Sequence, residues 1–274
     1  MAISAADVNK LRQMTGAGMM DCKKALEENQ GDFDKAIDYL RKKGQKLASK
    51  RADRDANEGL VIAKTTDDKT FAAIIMLNCE TDFVAKNQDF VNFGHSILDL
   101  AIKEKPKSEE ELKNLTINGS KVADLITDQV GKIGEKIELS HYHFIESPMT
   151  ISYIHQGSRL ATIVGFNKVC DEALAKDVAM QIASMAPIAI DKNTVPAEII
   201  EKELEIYREL IRQEGKPENM VEQIAQGKLN KFFKESTLLS QDFIKDSKKT
   251  VEQHLNQMDK DLKVTAFKRL MLGA

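Results

Sequence analysis

The stretch FAAIIMLNCETDFVAKNQDFVNFGHSIL, residues 71–98, decides how the rest of the chain is read. It begins as an apolar run of strand character, passes through an acidic turn and continues as a helix. Phe90, Val91, Phe93, Ile97 and Leu98, with Ile102 beyond them, fall on or near one helical stripe. The same order returns in RLATIVGFNKVCDEALAKDVAMQIA, residues 159–183: strand, acidic turn, then Ala-Lys ahead of a second amphipathic helix. We read the pair as a diverged internal duplication. Each copy is preceded by a strand that completes a hairpin, residues 60–64 with 71–78 and residues 149–155 with 160–166. Strand-then-helix halves of this kind predict an α+β fold, a duplicated core of antiparallel sheets with helices packed on one face.

Working outward, residues 1–45 read as a small unit of three helices. Ser4 and Asp7 form a capping box, and Val8, Leu11 and Met14 follow at helical spacing. Thr15-Gly16-Ala17-Gly18 breaks that helix, and a second runs over 19–29 with Met19, Met20, Cys22 and Leu26. Asp32 caps a third, carrying Phe33, Ala36, Ile37 and Leu40, with its end expected near Gly44. Adjacent Met19 and Met20 cannot both face so small a core. One is expected at the surface, where methionine adapts to a partner.

Residues 46–58 read as a linker within a basic run that holds Lys42, Lys43, Lys46, Lys50, Arg51 and Arg54. Nothing aromatic is interleaved to stack on bases, so a solvated tether is preferred to an RNA-binding arm. The core halves then occupy 59–145 and 146–274. Residues 120–133 read as a helix leading through Gly134 into a strand over 136–145. Two helices, 196–213 and 218–234, make a hairpin (196–236) around Gly215-Lys216-Pro217, expected to project as an arm. A last strand is expected within 261–272.

At 274 residues the chain is longer than one ordinary core needs, and its 42% hydrophobic content is enough for real ones. The 40 Lys plus Arg against 43 Asp plus Glu leave a net charge of −3, which disfavours a globally basic nucleic-acid binder. No apolar run approaches the roughly 20 residues of a membrane helix, and MAISAADVNKL lacks a basic-then-apolar leader. Cys22, Cys79 and Cys170 form neither a CxxC pair nor a framework, so a reducing, cytoplasmic compartment is expected.

Enzyme readings find little support. His141 and His143 share a strand face, with Glu138 expected on the other, and lack a third ligand at metal spacing. Cys79 has no histidine nearby in sequence and reads as a buried structural thiol. No phosphate loop, nucleophile elbow or zinc-protease helix is present. No catalytic residue, metal or cofactor is expected.

The informative segment is Asn78-Cys79-Glu80-Thr81-Asp82-Phe83-Val84-Ala85-Lys86-Asn87, at a strand-to-helix junction. From the residues alone, two readings stand. Phe83 fills a gap in the core while Asp82 caps the following helix, or the tip presents both to a partner.

TDFVAKN (81–87), together with LRQMTGAGMMDCKKALEENQGDFDKAIDYLRKKG (11–44) and KIGEKIEL (132–139), resembles the bacterial elongation factor Ts family, in the right order over nearly the whole chain. The resemblance implies a guanine-nucleotide exchange factor for elongation factor Tu, the GTPase that delivers aminoacyl-tRNA. Its partner would be a protein, with no covalent chemistry, bound nucleotide, nucleic acid or membrane of its own. It also implies roles. A ubiquitin-associated-like N-terminal unit would contact the GTPase through Arg12, Met19, Met20 and Lys23. Thr81, Asp82, Phe83 and Val84 would disturb the partner's Mg²⁺ site, with Phe83 inserted between helices. Ile133 and Gly134 would lie near its phosphate-binding loop, and His155 would belong to the half that touches a different domain. Two departures from the family pattern stand out: His141-Tyr142-His143 replaces expected arginines, and the chain ends at FKRLMLGA where many relatives continue into a further helix.

Overall fold

The computed structural model describes residues 3–273. Its first unit is α1 (Ala5–Thr15), α2 (Met19–Glu28) and α3 (Phe33–Arg51). The Ser4 hydroxyl accepts from the Asp7 amide at 3.1 Å while the Asp7 carboxylate takes the Ser4 N–H at 3.2 Å, so the capping box is present as read. Gly16, at φ 68°, provides the left-handed turn that ends α1. Val8, Leu11, Cys22, Ala25, Leu26 and Ala36 form the unit's own core.

Two expectations for this unit are corrected. Met19 and Met20 are both exposed, at 56% and 73%, because Cys22, Ala25 and Leu26 already fill the buried side of α2. The third helix does not stop at Gly44 but continues to Arg51 through much of the basic run. Gly44 keeps a helical backbone and serves as a contact, not as a stop. Leu47 and Ala48, one turn further on, pack against the core.

The first half of the core runs β1 (Glu58–Thr65), β2 (Phe71–Cys79), α4 (Asp82–Ala85), α5 (Gln88–Glu104), α6 (Glu109–Asn114), β3 (Thr116–Ile117), β4 (Ser120–Lys121), α7 (Val122–Ile133) and β5 (Glu138–Glu146). The second runs β6 (Met149–Ile154), β7 (Leu160–Phe166), α8 (Glu172–Met185), α9 (Ala197–Gln213), α10 (Glu218–Ser236), β8 (Asp242–Phe243), β9 (Asp246–Thr250), α11 (Val251–Met258) and β10 (Val264–Met271). Each half builds a three-stranded antiparallel sheet, β1-β2-β5 and β10-β7-β6.

The sheets stack face to face. Leu60, Ile62, Phe71, Ala73, Ile75 and Leu77 point to α5, α6 and α7, while Val61, Ala63, Ala72, Ile74 and Met76 point to Ala161, Ile163 and Leu270 of the other sheet. Met149, Ile151, Val164 and Phe166 cover the far face of the second sheet with α8 and α11. Helices therefore pack on one face of each sheet, and the other face is closed by its duplicate. This arrangement explains why β2 reads as an unbroken apolar run, since all its residues are buried on one side or the other.

The α9–α10 hairpin closes on Ile211, Val221 and Ala225, flanked by the ion pairs Arg208–Glu222 and Arg212–Glu218. In β5, Met76 pairs with His141 but Leu77 pairs with Leu139, so Ser140 is an extra residue. That bulge turns Glu138 and His141 toward the same cleft, contrary to simple alternation.

Candidate partner-binding surface

Thr81, Asp82, Phe83 and Val84 form a corner where β2 gives way to α4. The Thr81 hydroxyl accepts from the Val84 amide at 3.4 Å and caps α4, and Asn87 caps α5. Asp82 caps neither helix. Its carboxylate accepts from Lys86 Nζ at 2.6 Å, a contact that holds it below the usual carboxylate range. Phe83 is 84% exposed, so it does not fill a gap in the core. Val84 packs partly against the first core cluster and anchors the corner. A large ring standing in water on a half-buried turn is a presented side chain.

The corner is held from below by two carboxylates. Glu135, just after Gly134, accepts from the amides of Glu80 (3.1 Å) and Thr81 (3.0 Å) with Oε2 and from the Thr81 hydroxyl (2.7 Å) with Oε1. Glu80 answers by accepting from the Lys136 amide (2.6 Å) and from Arg51 at the end of α3 (2.7 Å), with Arg54 3.6 Å away. Burial opposes ionisation of Glu80, but the Lys136 amide and the Arg51 guanidinium outweigh it, and its carboxyl titrates below the ordinary value. Beneath them the Cys79 thiol is pushed up to about 12 by burial and by the Glu135 charge. It is an inert structural thiol.

Ile133 ends α7, and Gly134, at φ 84°, is its left-handed cap. The corner and the Ile133-Gly134 turn are therefore neighbours joined through Glu135. The N-terminal unit reaches the same region because α3 crosses α7 glycine on glycine. A Cβ on Gly131 would lie 2.9 Å from the Gly44 Cα. A cleft of about 560 Å³ opens beside the crossing, lined by Met14, Asp21, Leu47, Ile133 and Gly134. Arg12 lies in the last turn of α1, and Lys23 faces Glu27 at 3.8 Å.

His155 shares no hydrogen bond with this group. It follows β6 in the second sheet, its Nδ1 3.0 Å from the Tyr153 hydroxyl. The rings of His141 and His143 are 6.3 Å apart, and burial lowers the His143 titration. Among the described residues no group of three His, Cys, Asp or Glu side chains is arranged to hold a metal.

The sequence model of the family described as Elongation factor TS matches residues 80–274. The chain belongs to the elongation factor Ts family. Elongation factor Ts of Porphyromonas gingivalis is 50% identical over 275 aligned residues, and that of Amoebophilus asiaticus is 53% identical over 277, each pairing covering 100% of both chains. Elongation factor Ts of Christiangramia forsetii is 50% identical over 273 residues, 99% of each chain. By this membership the chain is a translation elongation factor of protein biosynthesis. The elongation factor Ts match begins at Glu80, the first residue of the clamped corner, and takes in Ile133, Gly134 and His155. Arg12, Met19, Met20 and Lys23 precede it and are covered by the full-length relatives.

The residues that sequence reasoning missed are Arg51, Glu80 and Glu135. Glu80 stands in the segment 78–87 and Glu135 in KIGEKIEL. Nothing in a single sequence pairs positions 55 apart.

Proposed function

We propose that this chain is the guanine-nucleotide exchange factor of elongation factor Tu and acts in the cytoplasm by pressing the corner at residues 81–84 against the GTPase's Mg²⁺ site. The observation that carries the reading is Phe83, an 84% exposed ring on a corner whose backbone is fixed from beneath. In a GTPase the Mg²⁺ bridges nucleotide phosphates and protein, so displacing it removes much of the nucleotide's hold. A partner that prefers the nucleotide-free state weakens nucleotide binding by the factor with which nucleotide weakens the partner. Phe83 supplies the differential contact by wedging packed helices between discrete arrangements, with Asp82 beside it.

The remaining surface follows from the same reading. Met19 and Met20, with Arg12 and Lys23, grip the GTPase domain, and Ile133 and Gly134 approach its phosphate-binding loop. His155 lies in the half that meets a different domain. The basic run speaks for a protein partner over RNA, since Lys43 is paired with Asp21 and Arg51 and Arg54 with Glu80. No described helix is long and apolar enough to cross a membrane.

Release of a fluorescent GDP from purified elongation factor Tu tests the proposal. The parent chain is expected to accelerate release strongly, and Phe83→Ala to lose about 30-fold of that, the worth of one hot-spot residue of ~2 kcal/mol. A variant as fast as the parent would remove Phe83 from the mechanism, and a parent without effect would remove the function.

A further inference from the structure

We infer that Glu135 is the positioning residue of the exchange corner, with Glu80 tying the same corner to the end of α3. The inference rests on the exchange reading and goes beyond it, to the carboxylates that hold the backbone behind the corner. Three donors converge on one carboxylate: the Glu80 amide, the Thr81 amide and the Thr81 hydroxyl, at 3.1, 3.0 and 2.7 Å. Those donors lie two and three residues before Phe83. A charged acceptor that bonds two successive backbone amides fixes the direction in which the chain leaves the strand, and so the direction in which the ring points.

The second half of the molecule is an internal control. There the chain also passes from strand to helix, between β7 and α8, and also leaves an apolar side chain in water, Val169 at 77% exposure. That corner has one helix cap, the Asp171 carboxylate accepting from the Leu174 amide at 2.9 Å, and is tied to its neighbours by neutral groups. The Asn167 side chain exchanges bonds with Asp261 and Lys263, and the Cys170 amide meets Met149 Sδ. No carboxylate from another segment bonds its backbone amides. The fold therefore turns from strand to helix there without a carboxylate on its backbone amides. The clamp belongs to the half that carries Phe83, and the ring it aims packs against none of the core clusters.

Glu80 extends the device. Its carboxylate joins the Lys136 amide, which follows Glu135, to Arg51 at the end of α3. The two glutamates thus exchange bonds across the same pair of loops, and the helix that carries the N-terminal unit ends on them. A precisely aimed wedge costs less ordering on binding than a mobile one, so the effect belongs to the committed step more than to the encounter.

The test is Glu135→Met, which keeps the length of the side chain but has no oxygen to accept from the two amides and the hydroxyl. Fluorescent-GDP release is measured against factor concentration. The saturating rate is expected to fall about tenfold while the concentration for half-maximal effect stays within about twofold. Loss of folded protein alone would do the opposite, raising the half-maximal concentration and leaving the saturating rate intact. Asp171→Ala, the cap of the control corner, is expected to leave the saturating rate unchanged.

Amide hydrogen exchange on the same proteins reads the clamp directly. Glu80 and Thr81 are expected to exchange about tenfold faster in Glu135→Met, with Ile74 and Ile75 of β2 still protected. Should those two lose protection as well, Thr81→Ala, which removes the hydroxyl limb together with the α4 cap, takes its place with the same expected direction, and Thr81→Ser, which keeps both, is expected to match the parent. An unchanged saturating rate, or unchanged protection at both amides, overturns the inference while the exchange reading stands. A parent chain that does not accelerate release overturns the exchange reading itself, and the two failures are distinct.

Discussion

A phenyl ring that is 84% exposed gains little from folding, and the stability of the chain does not depend on it. Phe83→Ala is therefore expected to move the urea midpoint by an amount worth no more than about 0.5 kcal/mol, even as exchange collapses. A loss of several times that would mean the ring packs on something. The opposite holds one turn earlier. Cys79 is fully buried and its thiol is pushed up to about 12, first by burial and then by Glu135. Cys170 is only half-buried. Alkylation of the folded chain at pH 8, followed peptide by peptide, is expected to modify Cys170 well ahead of Cys79 and Cys22. Early labelling of Cys79 would show that the corner opens, contrary to the clamp.

At the scale of elements, the crossing of α3 on α7 sets where the N-terminal unit sits. Alanine in a helix is ordinarily about 1 kcal/mol better than glycine. At Gly131 the new Cβ would lie 2.9 Å from the Gly44 Cα, so the helices must part. Overpacking of that kind costs roughly 1–3 kcal/mol, and Gly131→Ala is expected to destabilise in urea despite its better propensity. A stabilised variant would show that the helices separate at no cost. The α9–α10 hairpin leans instead on exposed ion pairs. Arg208 holds the Glu222 carboxyl down at about 2 through hydrogen bonds, with Gln226 adding to it. A depressed carboxyl stabilises fully above its ordinary value of 4.5 and loses that contribution as pH falls through about 2. Glu222→Gln should lower the melting temperature at pH 7, by less in high salt, with the difference from the parent shrinking as pH falls from 4.5 toward about 2.

Legibility in the sequence also divides by element. The strands, α5, α8 and the hairpin were readable because their apolar residues repeat at the period of the element they form. Ser4, Asp7 and Asp32 announced their helices by capping chemistry. The end of α3 was not readable, because Gly44 carries a stop signal, while its contact with Gly131 and the packing of Leu47 and Ala48 exist only in the fold. Segments 105–121 and 237–260 hold α6, α11 and two small hairpins, all too short and polar to show a period. At the site, Phe83 was legible through its neighbours in sequence. Glu135 was not, since its meaning lies in amides that only the fold brings to it.

For the molecule as a whole, the question is whether the duplicated halves fold as one. Each sheet buries one face under its own helices and the other against its duplicate, and Ile74, Met76, Ala161, Ile163 and Leu270 share that inner layer. Neither half can leave without exposing the layer, so the free energy of the interface belongs to both. Ile74 is fully buried in β2 at this seam, and Ile74→Ala removes most of its side chain there. The substitution is expected to cost about 2–5 kcal/mol, as for other aliphatic residues cut back in a closed core. Its location makes the sharper prediction. Amide protection of Val164, in β7 of the other half, should fall by the same factor as that of Ile75 in β2. Protection lost only in the first sheet would make the halves separate folding units. Equal loss makes the pair one cooperative block, which holds the Phe83 corner and the His155 turn at a fixed separation.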